Sequence, residues 1–268
     1  MADLARRLKH DLGYYPFRAF LAVGSRLPLS LLRPMGVLAG RTALTLAARD
    51  RARAQEHLAI AFPELDEDRQ REILRASARH LGLMLAEVTW LWRASPAQVA
   101  SLCDAEGFEH LDRAREAGRG AVLFTAHCGN WEMLNARLGV GDIPMTIAVR
   151  EVYDPRVNVL ATTLRARFGT EVVFRGKDAG RQLNAALARN RVLGLLIDQD
   201  IRKIPGVFVP FFGRPAWTPS GAAMLAVRHK IPVIPAFVHR LPDGRHLARA
   251  HPPLPVPEGG SLRERIEA

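Results

Sequence analysis

The sequence predicts an α/β fold: a single domain with a mixed, mostly parallel sheet flanked by helices, preceded by a helical, membrane-associated lead-in. Two observations carry this expectation. From Gly118 onward short apolar runs alternate with helical segments, the pattern of a sheet covered by helices. The 268 residues, 48% of them hydrophobic, suffice for one substantial core, and nothing in the composition forces a split into independent domains.

The lead-in comes first. Residues 14–48 are apolar but interrupted by Arg18, Arg26, Arg33 and Arg41 and punctuated by Pro16, Pro28 and Pro34. No stretch approaches the roughly 18 uncharged apolar residues that a membrane-spanning helix needs. Short helices lying in a membrane interface are expected, their apolar side in lipid and their arginines among head groups. A core-packing subdomain is the competing reading. Arg18 breaks the run that a signal peptide would need, and no small-x-small site follows it. A boundary near residue 60 is expected, separating a lead-in over 1–60 from a main domain over 61–268.

The main domain opens with a helical pattern over 66–92. Ile73, Leu74, Ser77, Leu81, Met84, Leu85, Val88, Leu91 and Trp92 follow three-and-four spacing as an inward stripe, with Asp66 or Asp68 as cap. Strands are expected over 121–126, 145–149, 171–174, 192–197, 231–238 and 246–250. A capped helix is expected over 178–190, with Leu183 and Leu187 inward. A second spans 218–230, with Thr218 as N-cap, Pro219 in its first turn and Arg228, His229 and Lys230 complementing its dipole. The proline-rich stretch 252–257 reads as a rigid connector. Residues 261–268 begin a helix capped by Ser261 and then stop, so the C-terminal part reads as truncated.

The net charge is +11, and of the 38 lysine and arginine residues only Lys9, Lys177, Lys203 and Lys230 are lysine. Arginine grips phosphate in bidentate fashion, so a phosphate-rich partner or an anionic membrane surface fits, although a GC-biased genome writes the same ratio. Nucleic acid is disfavoured, since aromatics are only 7% and no aromatic-basic interleaving occurs. Two cysteines, Cys103 and Cys128, cannot form a disulfide framework and sit at no metal-ligand spacing.

The informative segment runs Ala121-Val-Leu-Phe-Thr-Ala-His127-Cys128-Gly129-Asn130-Trp131-Glu132. A buried strand delivers His127 to its C-terminal edge, Gly129 permits a sharp turn, and Asn130 can cap a helix whose first turn holds Glu132. In α/β sheets that edge is where ligands bind. Imidazole titrates near neutral pH, so a histidine with a fixed tautomer can take a proton from an incoming hydroxyl. Glu132, folded back by the strand, turn and helix, is the expected orienting carboxylate, giving two thirds of a hydrolase triad. The bare spacing is common; the strand-Gly-helix context carries the inference.

A thiol nucleophile at Cys128 is disfavoured because neighbours on a strand point to opposite faces. A zinc site is disfavoured too, since no His-Glu-x-x-His occurs and His239, His246 and His251 lack helical spacing. No metal and no cofactor are expected. Asp198 and Gln199 close a buried strand, where a polar pair must find hydrogen-bond partners; Arg150 ends another strand.

His127-x₄-Glu132 within Thr-Ala-His-Cys-Gly-Asn-Trp-Glu resembles the late acyltransferases of lipid A biosynthesis, a branch of the lysophospholipid acyltransferase superfamily with a His-x₄-Asp/Glu motif. Three further blocks are similar to that family: Thr146-Ile-Ala-Val-Arg150, Leu195-Leu-Ile-Asp198-Gln199-Asp200, and Gly206-Val-Phe-Val-Pro-Phe-Phe-Gly213-Arg-Pro-Ala-Trp-Thr218. The resemblance is strong over 118–235 and weak from about Tyr14. The family usually continues into a further helix and a Trp-rich basic C-terminus. Phe62-Pro63-Glu64 precedes the histidine and is followed by Leu65, which disfavours the glycerolipid branch with its later Phe-Pro-Glu-Gly-Thr motif.

The resemblance implies transfer of a fatty acyl group from acyl carrier protein or acyl-CoA to a hydroxyl on lipid A or its precursor, at the cytoplasmic face of the inner membrane. It implies catalytic roles for His127 and Glu132. Arg150 would clamp a thioester oxygen or a phosphate, and Asn130, Asp198 and Gln199 would contact substrate. Another glycolipid, such as a phosphatidylinositol mannoside, is an alternative acceptor. A reading of a different class is a catalytically silent basic membrane-binding module, which would tolerate loss of His127.

Overall fold

The computed structural model describes residues 2–201 and 203–267. They group into two compact units, Met1–Ala94 with Val209–Ala216, and Ser95–Phe208 with Trp217–Ala268.

The first unit is built on helices α1 (Ala2–Gly24), α2 (Leu29–Leu46), α3 (Ala48–Ala61) and α4 (Glu67–Leu91). Asp66 caps α4, its Oδ1 accepting from the Arg69 amide at 2.8 Å. Among the described residues no helix is long and apolar enough to cross a membrane. The α2–α4 crossing is made of small residues. A Cβ on Gly36 would lie 2.3 Å from the Gly82 carbonyl oxygen, and one on Gly40 would lie 2.2 Å from that of Ala78. The two helices therefore run antiparallel at backbone contact. Arg33 of α2 reaches the fully buried Glu87 of α4, with Nη2 at 2.8 Å from Oε1.

This close approach rearranges the expected inward stripe of α4. Gly82, Leu83, Met84, Ala86 and Leu91 are buried, but Leu81 is 52% and Leu85 56% exposed. The helix turned its smallest residues to α2 because only they admit a neighbouring backbone, which rotated Leu81 and Leu85 out to solvent. On α2, Leu31, Met35 and Leu38 are likewise exposed. Met35 precedes the contact residue Gly36 as Leu81 precedes Gly82. In antiparallel helices this places both apolar stripes on one side of the pair.

The second unit is the α/β part. It contains α5 (Pro96–Leu102), β1 (Cys103–Glu106), α6 (Glu109–Glu116), β2 (Ala121–Thr125), α7 (Trp131–Val140), β3 (Met145–Val149), α8 (Pro155–Ala166), β4 (Glu171–Phe174), α9 (Ala179–Ala188) and β5 (Val192–Leu196). After a hairpin, β6 (Gly206–Phe211) and β7 (Arg214–Pro219), come α10 (Gly221–His229), β8 (Val233–Arg240), β9 (His246–Ala250) and α11 (Leu262–Glu267). The hairpin's distal residues, Val209–Ala216, group with the first unit.

The main sheet has seven strands in the order β1-β9-β8-β2-β5-β3-β4. All neighbours are parallel except β8 and β9. It is thus the expected mostly parallel sheet flanked by helices. The six expected strands form; β1 and the β6–β7 hairpin are additions. Val122, Leu193 and Ile231 pack with Ala186 and Leu187 of α9 and Ala222 of α10, a buried core under the two central strands. One helix start is corrected: Thr218 and Pro219 finish β7, and α10 begins at Gly221 after Ser220, which makes no side-chain cap. Ser261 does cap the final helix, its Oγ accepting from the Glu264 amide at 3.3 Å.

Candidate active site

β2 ends at Thr125, and the chain turns beyond it through Gly129 into α7. Gly129 has φ +61°, and a Cβ there would lie 1.9 Å from the Val238 carbonyl oxygen, so both conformation and space demand glycine. Asn130 caps α7, its Oδ1 accepting from the Met133 amide at 3.1 Å. These two residues make the bend that leaves His127 exposed at the C-terminal edge of a central strand.

β5 lies beside β2 in a register that pairs Thr125 with Leu196. Two residues further along each strand, that register sets His127 opposite Asp198. His127 Nδ1 lies 2.8 Å from Asp198 Oδ1, and the His127 backbone amide donates to Oδ2 at 2.7 Å. A carboxylate only accepts, so in the neutral ring the proton sits on Nδ1 and Nε2 keeps its lone pair. The His127 side chain is 34% exposed, open to a substrate. Trp131 meets the imidazole edge to face, with ring centroids 5.0 Å apart.

This corrects the expected His127–Glu132 pair. Glu132 stands in the first turn of α7, and that turn directs its carboxylate across to α8. There Arg165 donates from Nη2 to Oε1 at 2.5 Å and from Nε to Oε2 at 3.2 Å. Both side chains are largely buried, 12% exposed for Glu132 and 16% for Arg165. Glu132 thus fastens α7 to α8 immediately behind the histidine, and Asp198 does the orienting.

The other expected residues separate by exposure. Asn130 is 1% exposed and serves the cap, so it builds the turn instead of facing a ligand. Gln199 is exposed directly after Asp198, and Arg150 is exposed at the end of β3, one strand beyond β5. A cavity of about 390 Å³ opens beyond β3 and β4, lined by Glu151, Pro155, Asn158, Val159 and Phe174 among others. Arg165 was invisible in the sequence. It lies between Leu164 and Ala166 in an amphipathic helix, and no local signal separates it from the surface arginines around it.

Burial, and secondarily the Asp198 charge, push the Cys128 thiol above its ordinary pKa, which suppresses the thiolate a nucleophile requires. No group of three or more metal-ligating side chains occurs among the described residues.

His127 thus stands past the end of a strand in a mostly parallel sheet with Nδ1 bonded to a carboxylate, an arrangement that general-base histidines use. The chain is 24% identical over 228 residues to a lipid A biosynthesis acyltransferase from Haemophilus influenzae, covering 83% of this chain and 71% of that one. It is 33% identical over 132 residues to a phosphatidylinositol mannoside acyltransferase from Mycobacterium tuberculosis, covering 48% and 42% of the two chains. With a phosphatidylinositol mannoside acyltransferase from Mycolicibacterium smegmatis the identity is 28% over 191 residues, covering 70% and 62%. The matched stretches thus span less than two thirds of either mycobacterial protein. The family model for bacterial lipid A biosynthesis acyltransferases matches residues 6–265, nearly the whole length, and the chain accordingly belongs to that family of acyltransferase enzymes.

Proposed function

We propose that this enzyme transfers a fatty acyl group from a thioester donor, acyl carrier protein or acyl-CoA, to a hydroxyl of lipid A or its precursor. The observation that carries the proposal is the Asp198–His127 pair, made through Nδ1 and so leaving Nε2 for the proton transfer. Nε2 accepts the acceptor's hydroxyl proton as the oxygen attacks the thioester carbonyl. Asp198 holds the tautomer and stabilises the imidazolium that forms. Collapse of the tetrahedral intermediate breaks the carbon–sulfur bond, and the imidazolium returns the proton to the leaving thiolate. The amides at the start of α7 support the developing oxyanion, and Arg150 attracts a phosphate or the thioester oxygen.

Charge and surface support a working place at a membrane. The net charge of +11 favours an acidic carrier protein, a phosphorylated glycolipid and anionic lipid alike. The exposed stripe of Leu31, Met35, Leu38, Leu81 and Leu85 suits a membrane interface. Both support the reading that the enzyme works against the cytoplasmic face of the inner membrane, with the helical unit resting on it.

A second reading, acylation of a phosphatidylinositol mannoside, is favoured by the two mycobacterial relatives. One assay separates the two. Purified protein is incubated with acyl carrier protein loaded with a labelled fatty acid, and with a tetra-acylated lipid A precursor or a phosphatidylinositol mannoside as acceptor. Label is expected in the lipid A precursor and lost in His127→Ala. Label in the mannoside alone would replace the acceptor, and undiminished transfer by His127→Ala would remove the mechanism.

A further inference from the structure

A cavity of about 530 Å³ opens on the first unit between α3, α4 and the tip of the β6–β7 hairpin. Leu58 and Ala61 line it from α3, Leu74 and Ser77 from α4, and Phe211 and Phe212 from the hairpin. His57 is the one ionisable residue of its lining. Phe212 is in the left-handed region at φ +48°, followed by Gly213 at +70°. That two-residue turn favours Asn or Asp at its first position, and a bulky aromatic there is strained. The strain is held in place by ring contacts, with Phe62 at 5.2 Å and Phe211 at 4.6 Å between centroids. The hairpin thus gives up backbone comfort to set an aromatic wall, while Phe211 and Phe212 remain 60% and 50% exposed.

Two observations identify an occupant. Of the side chains that line it only the His57 ring and the Ser77 hydroxyl are polar, so a peptide would find few partners for its amides whereas an alkyl chain needs none. Leu74 and Ser77 continue along α4 to the exposed Leu81 and Leu85 at spacings of three and four, so the groove opens onto the same apolar stripe that α2 extends.

We propose that this groove is a binding site for one alkyl chain of the glycolipid acceptor, an inference that rests on the acceptor class proposed above. It holds a chain the acceptor already carries, separate from the acyl group being transferred.

The test uses the full chain with Ser77→Trp, which fills the groove from α4, and Ala54→Trp, which fills it from α3, with folding checked by circular dichroism. The probe is n-dodecyl-β-D-maltoside below its micellar concentration. The parent protein should bind one probe molecule saturably, and each variant should weaken it about tenfold, as losing the burial of roughly two methylenes requires. The acceptor KM should rise by a similar factor with a much smaller change in kcat. Binding to vesicles of phosphatidylcholine and phosphatidylglycerol should be unmoved. An unchanged KM in both variants overturns the site, as does vesicle affinity that falls in step with KM, which would make the groove only part of a membrane-contacting face. If the parent acylates no glycolipid yet binds the probe, and Ser77→Trp abolishes that binding, the groove stands as an alkyl site and the acceptor reading fails instead.

Discussion

Asp198 holds His127 twice, by one hydrogen bond to the ring and another to the backbone amide of the same residue. Both bonds follow from the β2–β5 register, which sets residues 71 positions apart side by side. A carboxylate so placed fixes the rotation and the neutral tautomer of the imidazole together. Replacing it with Asn keeps the shape but presents an amide to Nδ1. Asp198→Asn is expected to lower kcat for acyl transfer by on the order of 10²–10⁴, close to the loss in His127→Ala. The double variant should be little worse than either, because the two act as one unit. Steady-state kinetics on the three proteins checks this, and additive losses would separate the residues.

Glu132 and Arg165 make a different kind of pair. Removing one partner strands a mostly buried charge, so Glu132→Gln and Arg165→Met should each destabilise the fold by on the order of 3 kcal/mol. The double variant should recover most of that stability in denaturant titrations. Activity should recover with it if the pair positions α7. A double variant that is stable but inert would instead show that Glu132 takes part in the chemistry.

Cys128 reports on the same site without turnover. Its thiol is raised by burial and then by the Asp198 charge, so at pH 8 the thiolate fraction is below that of an ordinary cysteine. Alkylation by iodoacetamide should accordingly be slow, and its pH profile displaced to higher pH. Asp198→Asn removes the charge contribution, moves the profile down and speeds alkylation at fixed pH. Cys103 is buried and serves as the internal control. An Asp198→Asn profile identical to the parent's would contradict the electrostatic coupling.

The α2–α4 crossing has no room for a methyl group. A Cβ at residue 82 would lie 2.0 Å from the Gly36 carbonyl oxygen, and backbone cannot step aside as a side chain can. Gly82→Ala and Gly36→Ala should each cost about 2–3 kcal/mol and lower the melting temperature of the helical unit. Gly13, with open space around its Cβ position, is the control substitution and should be close to neutral. Equal melting temperatures for Gly82→Ala and the parent would refute the close approach.

Most of the α/β half was legible because buried parallel strands are written as continuous apolar runs. Residues 121–125 and 192–196 announce themselves that way, and their helices fall between them by period. The hairpin was not legible: the apolar character of 206–219 is the same whether it forms strands or loop, and Thr218-Pro219 spells a helix start as well as a strand end. On α4 the period was right and the face partly so: Met84 and Leu91 are buried as expected, whereas Leu81 and Leu85 are exposed and Gly82 and Ala86 were buried for their size.

Local chemistry in the sequence determined that His127 would stand past the end of a strand, at a glycine bend leading into a helix capped by Asn130. Those are properties of neighbours in the chain, and they resemble one acyltransferase family closely enough to name it. Which carboxylate serves the histidine was decided only in three dimensions. Glu132 is five residues away but belongs to a helix that turns it toward Arg165, whereas Asp198 is 71 residues away and directly opposite. Strand register is set by the packing of the whole sheet, and no local spacing encodes it.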